Sequence, residues 1–300
     1  MARLLLAKGY EVHGSSRDHE INPFTNLVRL GIKKQIRLHS VSPADFRSVM
    51  TVLKQVDPGE VYCLGGQTSV GLSFANPVET FESITVGTLN LLECLRILRK
   101  PTKMYHASSS ECFGNTPFPA TETTPFHPRS PYAVAKAAAH HAVVNYREAY
   151  GLFACCGILF NHESPLRPAR FVTQKIVSAA RRISQGSKEK LGLGNLRVQR
   201  DWGWASEYVL AMWKMLQKPS PDDFVIATGK SHSLEEFVAR VFREMGLNWK
   251  SFVFHDPELQ RPSDLQVSRG NPCWARKKLS WEAKTSFSLL VKKLVRQELF

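Results

Sequence analysis

Lys103-Met-Tyr-His-Ala-Ser108, a helical stretch over residues 132–150, and Phe153-Ala-Cys-Cys-Gly-Ile-Leu159 form a strand–helix–strand run. Reading that run decides the fold. A helix of about twenty residues between two apolar strand-like runs is long enough to carry the chain back across a sheet, so the strands run parallel. Working outward, the same alternation continues toward the N-terminus. Glu60-Val-Tyr-Cys-Leu64 reads as a buried strand, followed by glycines and a helix over 85–98. Residues 45–56 space Phe46, Val49, Met50, Leu53 and Val56 along one helical face. Tyr10-Glu-Val-His-Gly14 and Gln35-Ile-Arg-Leu-His39 are further strand-like runs. The expected architecture is α/β: a doubly wound parallel sheet with helices on both faces.

Toward the C-terminus the pattern loosens. Residues 161–200 mix Pro, Gly and basic residues around one helix at 173–185. A helix at 205–217, a strand Phe224-Val-Ile-Ala-Thr228 and a basic amphipathic helix at 289–299 follow. Neither repeats nor a low-complexity linker interrupts the chain. Two interleaved lobes are therefore expected: residues 1–160, with 201–228 returning to them, and a smaller α/β lobe of 161–200 with 229–300. At the start, Ala2-Arg-Leu-Leu-Leu-Ala-Lys-Gly9 reads as a first helix already under way at Met1. A doubly wound dinucleotide binder ordinarily opens with a strand and a Gly-rich turn ahead of that helix. The expectation is of an N-terminally truncated version of the fold, or of a gene start placed too late.

Composition bounds the function. Hydrophobic content of 43% and charged content of 22% describe a globular chain. No apolar run approaches the roughly 20 residues of a membrane span, and the N-terminal stretch lacks the features of a secretory signal; a cytoplasmic location is the default. Six cysteines without a CxxC pair are expected to be free thiols and not metal ligands. The net charge of +14 comes from scattered basic residues. With no aromatic-interleaved basic patch, nucleic acid is not the expected partner, while anionic nucleotides suit the charge.

The chemistry is concentrated in Tyr132-Ala-Val-Ala-Lys136, with Ser108-Ser-Ser-Glu111 upstream. On a helix, Tyr and Lys four apart share a face. The ammonium then lowers the phenol pKa from about 10, making the tyrosine a general base for an alcohol that is losing hydride. A serine hydroxyl at a strand end polarises the same oxygen. A surface Tyr–Lys pair at helical spacing is the plain alternative.

These stretches resemble the GDP-mannose 4,6-dehydratase family of extended short-chain dehydrogenases. So do Thr124-Pro-Phe-His-Pro-Arg-Ser-Pro-Tyr-Ala-Val-Ala-Lys136, Ile158-Leu-Phe-Asn-His-Glu-Ser-Pro165, Phe171-Val-Thr-Gln-Lys175, Leu193-Gly-Asn-Leu196, Arg200-Asp-Trp-Gly203 and Val225-Ile-Ala-Thr-Gly229. The resemblance implies a Rossmann-like fold and a metal-free, NADP-dependent hydro-lyase acting on GDP-mannose as a homodimer or homotetramer. It makes Tyr132 the base, Lys136 its tuning partner and a ribose contact, Ser109 (where the family usually has Thr) the hydrogen-bond donor to the sugar O4, and Glu111 the base for C5–H. It places NADP on Arg17, the stretch Leu64, Gly65, Gly66, Gln67 and Thr68, and on Tyr132, Lys136, His162 and Arg167. It places GDP-mannose on Asn161, Val172, Lys175, Arg200 and Arg261. Arg17 follows a strand, where an Arg can pair with a 2′-phosphate; an ordinary surface Arg is the alternative. Departures from the family pattern are Ser42 in place of an Asp near adenine, and Gly65 and Thr68 in place of commoner Ala and Ser. A nucleotide-sugar reductase or epimerase, or a truncated relative with a structural role, are the competing functions; Glu111 speaks against the first two.

Overall fold

The computed structural model describes residues 1–259 and 263–299. Contacts divide the chain into two compact units. The first comprises Met1–Ser109, Ser130–Gly157 and Val209–Asp223; the second comprises Ser110–Arg129, Ile158–Tyr208 and Phe224–Phe300.

In the first unit a helix (Ala2–Ala7) leads to strand β1 (Val12–Ser16), and β2 (Ile36–Ser40) pairs with it in parallel, Val12 opposite Ile36. The helix Phe46–Val56 leads to β3 (Glu60–Cys63), and the helix Gly87–Leu98 leads to β4 (Lys103–Ser109). The helix Pro131–Tyr150 leads to β5 (Ala154–Leu159), whose last two residues lie in the second unit. β3 and β4 are parallel, with Tyr62 opposite Tyr105, and β4 lies between β3 and β5.

Helices cover both faces of β3. Successive strand side chains point to opposite sides. Val61 and Cys63 pack in one cluster with Val49, Leu53, Leu92 and Val143, whereas Tyr62 packs in another with Leu5, Val12 and Trp213. This is the doubly wound arrangement read from the alternation. The helix at Ala2–Ala7 is also as expected.

Several expected boundaries move. The first strand begins at Val12, not Tyr10, because Tyr10 serves as a polar bridge: its hydroxyl donates to Glu60 Oε1 at 3.2 Å and accepts from Trp213 Nε1 at 3.0 Å. The helix expected from residue 85 starts as a π-helical turn, Glu82–Val86, and becomes regular at Gly87. The last helix runs Phe287–Arg296, two residues ahead of expectation, because the Ser286 hydroxyl accepts the Leu289 N–H and caps it there.

β1 and β3 each stand at the end of their own sheet. A cavity of about 970 Å³ lies between them, lined by Val12, Gly14, Leu38, Val61, Cys63 and Gly65 among others.

The second unit is built around β8 (Gln199–Trp204). β6 (Asn161–Glu163) and β12 (Val267–Ser268) pair with it in parallel, and β10 (Ser231–Ser233) pairs antiparallel. β7 (Leu191–Leu193) pairs with β11 (Val253–His255). β9 (Phe224–Ile226) runs beside the end of β5, where the Phe160 N–H donates to the Ile226 carbonyl. The helices Val172–Ser184, Leu234–Glu244 and Phe287–Arg296 pack Ile176, Ile183, Phe237, Val241 and Leu290 onto Trp202 and Trp204. Fully burying such side chains contributes about 1.5–3 kcal/mol each.

Candidate active site

In the first unit the tyrosine helix starts where the sequence says it should. The Ser130 hydroxyl accepts the Ala133 N–H at 3.1 Å, and Pro131 occupies the first turn, where its missing N–H costs nothing. Tyr132 and Lys136 therefore sit in the first two turns, four residues apart on one face, and both are buried. Tyr132 packs with Ile84, Ala135 and Ala139. The Lys136 ammonium donates to the Ala107 carbonyl at 2.8 Å, tying the helix to β4 two residues before Ser109. Ser108 and Ser109 are both buried at the end of that strand. A surface Tyr–Lys pair is excluded by this burial.

Arg17 directly follows β1 and is 79% exposed, with its guanidinium 3.5 Å from the Glu79 carboxylate. The stretch from Leu64 to Thr68 follows β3. Gly66 has φ +107, and a Cβ there would lie 3.0 Å from Ile84 and 3.2 Å from the Ser83 carbonyl, so only glycine suits. At Gly65, by contrast, a Cβ meets nothing within 4 Å. An alanine, commoner in the family at that position, would fit. Gln67 fixes the turn: its N–H donates to Ser83 Oγ at 3.1 Å and its side-chain amide donates to the Ser69 carbonyl at 2.8 Å.

In the second unit, Glu111 lies on a 3₁₀ turn, Ser110–Phe113. Asn161 and His162 open β6. His162 stacks on Tyr208, 5.0 Å between ring centres, and its Nδ1 lies 2.9 Å from the Phe160 carbonyl. A carbonyl only accepts, so Nδ1 carries the proton; burial pushes the imidazole pKa down to about 4 and keeps it neutral. Tyr208 is held close by Gly203, where a Cβ would lie 2.3 Å from the ring.

Val172 opens its helix, and Lys175 Nζ donates to the Gly192 carbonyl at 2.9 Å. Arg200 is buried, with Nη2 2.9 Å from Asp264 Oδ1 and Nη1 2.8 Å from the Leu265 carbonyl. Arg261 lies outside the described residues. Sequence reasoning missed the buried Glu163, which neighbours His162 and holds Arg167.

Among the described residues, His140, Cys156 and Asp223 bring potential ligand atoms within 4.8 Å of one another. The Asp223 carboxylate is already engaged by Arg147, through two bonds of 2.8 Å, and by the Cys156 N–H at 2.8 Å. That ion pair fills a structural role at the base of the tyrosine helix. All six cysteines are free thiols.

The family model for GDP-mannose 4,6 dehydratase matches residues 1–294. The chain belongs to this family. It is 45% identical to GDP-mannose 4,6 dehydratase 2 of Arabidopsis thaliana over 309 residues, covering 100% of this chain and 83% of that protein. It is 39% identical to the GDP-mannose 4,6-dehydratase of Vibrio cholerae serotype O1, covering 100% of this chain and 90% of that one. Among solved structures it is similar to UDP-glucose 4-epimerase of Thermus thermophilus in complex with NAD, with 26% identity, a TM-score of 0.85, and coverage of 99% and 93%. A dTDP-glucose 4,6-dehydratase from Bacillus anthracis, 18% identical, shares the fold with a TM-score of 0.85 over 99% of this chain and 91% of that chain. Membership of the family agrees with the resemblance carried by the Tyr132–Lys136 and Asn161–Pro165 stretches. No helix among the described residues is long and apolar enough to cross a membrane.

Proposed function

We propose that this chain converts GDP-mannose to GDP-4-dehydro-6-deoxymannose and water, with NADP as its cofactor. The observation that carries the proposal is the end of β4. Ser109 closes the strand, Glu111 follows two residues later, and Lys136 is anchored to Ala107 of the same strand.

The nucleotide fits the residues present. Gly65 leaves open space beside a turn that only Gly66 can make, and exposed Arg17 offers a guanidinium to a 2′-phosphate. His162, Arg167 and Lys136 would also hold it. When bound, NADP would supply a reversible hydride acceptor for the sugar C4 and C6.

The protein's own part is proton transfer. Tyr132, its phenolate favoured by the Lys136 charge, takes the O4 proton. The Ser109 hydroxyl donates a hydrogen bond to O4 and holds it in place. The C4 carbonyl acidifies C5–H. Glu111 takes that proton and passes it to the departing C6 hydroxyl, which leaves as water. Tyr132 returns the proton taken from O4 to C5 as C6 is reduced, which restores the phenolate. Asn161, Val172, Lys175, Arg200 and Arg261 are assigned to the GDP moiety, and a homodimer or homotetramer is the proposed assembly.

Incubating the purified chain with GDP-mannose and NADP should give a product lighter by one water. Glu111→Gln should oxidise C4 but stall, so that reduced cofactor accumulates in a single turnover. An epimerase or reductase has no such stall, and equal loss of both steps would remove Glu111 from the role of base.

A further inference from the structure

Glu163 is the last residue of β6 and is 1% exposed. Its Oε2 accepts a hydrogen bond from the Thr173 hydroxyl at 2.7 Å and lies 3.2 Å from Arg167 Nε. A single carboxylate thus meets the segment 164–171 at Arg167 and the helix just beyond it at Thr173. That segment joins β6, which carries Asn161 and His162, to the helix that carries Val172 and Lys175.

Other contacts also hold the segment. The Arg167 Nη1 donates to the His162 carbonyl at 3.3 Å, and its guanidinium lies 3.8 Å from the centre of the Phe171 ring. Gln174 Nε2 donates to the Ser164 carbonyl at 3.0 Å. Burial pushes the Glu163 carboxyl pKa up, while Arg167 and the Thr173 hydrogen bond push it down. A carboxylate with no neighbouring cation would be costly here. Arg167, in turn, has its position set by that carboxylate.

We propose that Glu163 is a positioning residue whose buried carboxylate fixes Arg167 and Thr173 and thereby holds segment 164–171 in its nucleotide-binding shape. This rests on the assignment of His162, Arg167, Val172 and Lys175 to nucleotide contacts. It adds a residue that itself touches neither substrate nor cofactor. The chemistry of proton transfer belongs to Tyr132 and Glu111 and is left untouched, so the effect of losing Glu163 falls on binding.

Glu163→Gln separates the two interactions, because the amide oxygen still accepts from Thr173 but carries no charge for Arg167. The expected result is a KM for GDP-mannose, and a Kd for NADPH by direct titration, raised roughly tenfold to a hundredfold, with kcat within about threefold. Amide exchange in residues 164–171 should accelerate, and exchange in the helix Pro131–Tyr150 should not. Arg167→Lys keeps the positive charge but not the planar fork. It should reproduce the loss of NADPH affinity and serves if the Glu163 variant fails to fold.

The role is overturned if Glu163→Gln binds NADPH as the parent does, or if kcat falls while KM and Kd stay fixed. If the parent chain does not turn over GDP-mannose, the assigned reaction fails. NADPH titration and amide exchange still decide the role of Glu163.

Discussion

Within the first unit, strands β4 and β1 end in opposite ways. β4 ends in two buried serines, Ser108 and Ser109, and the Lys136 ammonium of the tyrosine helix closes that seam on the Ala107 carbonyl. β1 ends at Ser16 and is followed by Arg17, which is mostly exposed, and a cavity of about 970 Å³ separates β1 from β3. The difference sorts the two tasks. Proton transfer is assigned to the closed seam, where water is scarce and a neighbouring charge acts strongly on a phenol. Gripping a large anion is assigned to the open side, where a turn leaves room at Gly65 and a guanidinium reaches out.

The sharpest way to break this division is Tyr132→Phe. Loss of the base should cost on the order of 10²–10⁴-fold in turnover, with GDP-mannose affinity nearly unchanged by calorimetry. A variant that keeps full activity would move the chemistry out of the seam.

A second test acidifies the molecule. His106 is fully buried on β4, and burial, followed by the charges of Lys136 and His140, holds its pKa well below the usual histidine value. Burial likewise takes His140, on the tyrosine helix, down to about 4. Both are neutral in the folded state, while the unfolded chain binds protons near pH 6.5. Stability is therefore full above about pH 6.5 and falls as pH drops toward 4. The slope is up to about 1.4 kcal/mol per pH unit for each group. Denaturant titrations at pH 7 and pH 5 should show the loss, and His106→Leu should flatten it. A parent protein with equal stability at both pH values would mean the seam is wetter than its burial suggests.

The smallest effect is expected on the open side, from a pair of alanines one residue apart. Gly66→Ala forces a positive φ on a side chain that also meets Ile84 and Ser83, and should destabilise by about 1–3 kcal/mol. Gly65→Ala should be close to neutral, because a Cβ there meets nothing. Thermal unfolding of the two variants sharpens the comparison; equal shifts would show that the turn is not set by Gly66.

Much of the seam was legible in the sequence because its signals are local. Ser130-Pro-Tyr is a helix start, and Tyr132 and Lys136 need only helical spacing to face together. The helix Leu234–Glu244 is legible in the same way. Ser233 caps it through the Glu236 N–H, and Leu234, Phe237, Val238 and Val241 follow helical spacing. Other features depend on partners far along the chain. Arg200 reads as a diphosphate ligand by charge, and the pairing of its guanidinium with Asp264, sixty-four residues away, shows only in the fold. Glu163 read as part of a motif, and only folding shows that it is buried against Arg167 and Thr173. The strand start at Val12 could not be read from periodicity, because Tyr10 is drawn off by Glu60 and Trp213 from distant segments.

Glu60 bears on how this molecule behaves at high concentration. An end strand offers its backbone to any passing strand, and proteins guard such edges with charge. At the head of β3, the Glu60 carboxylate already accepts hydrogen bonds from Tyr10, Tyr62 at 2.7 Å and Gln217 at 2.9 Å. A foreign strand docking there would have to break that cluster or bury a charge beside it. The same three bonds that stitch the base of the cavity therefore also act as a gatekeeper against edge-to-edge aggregation.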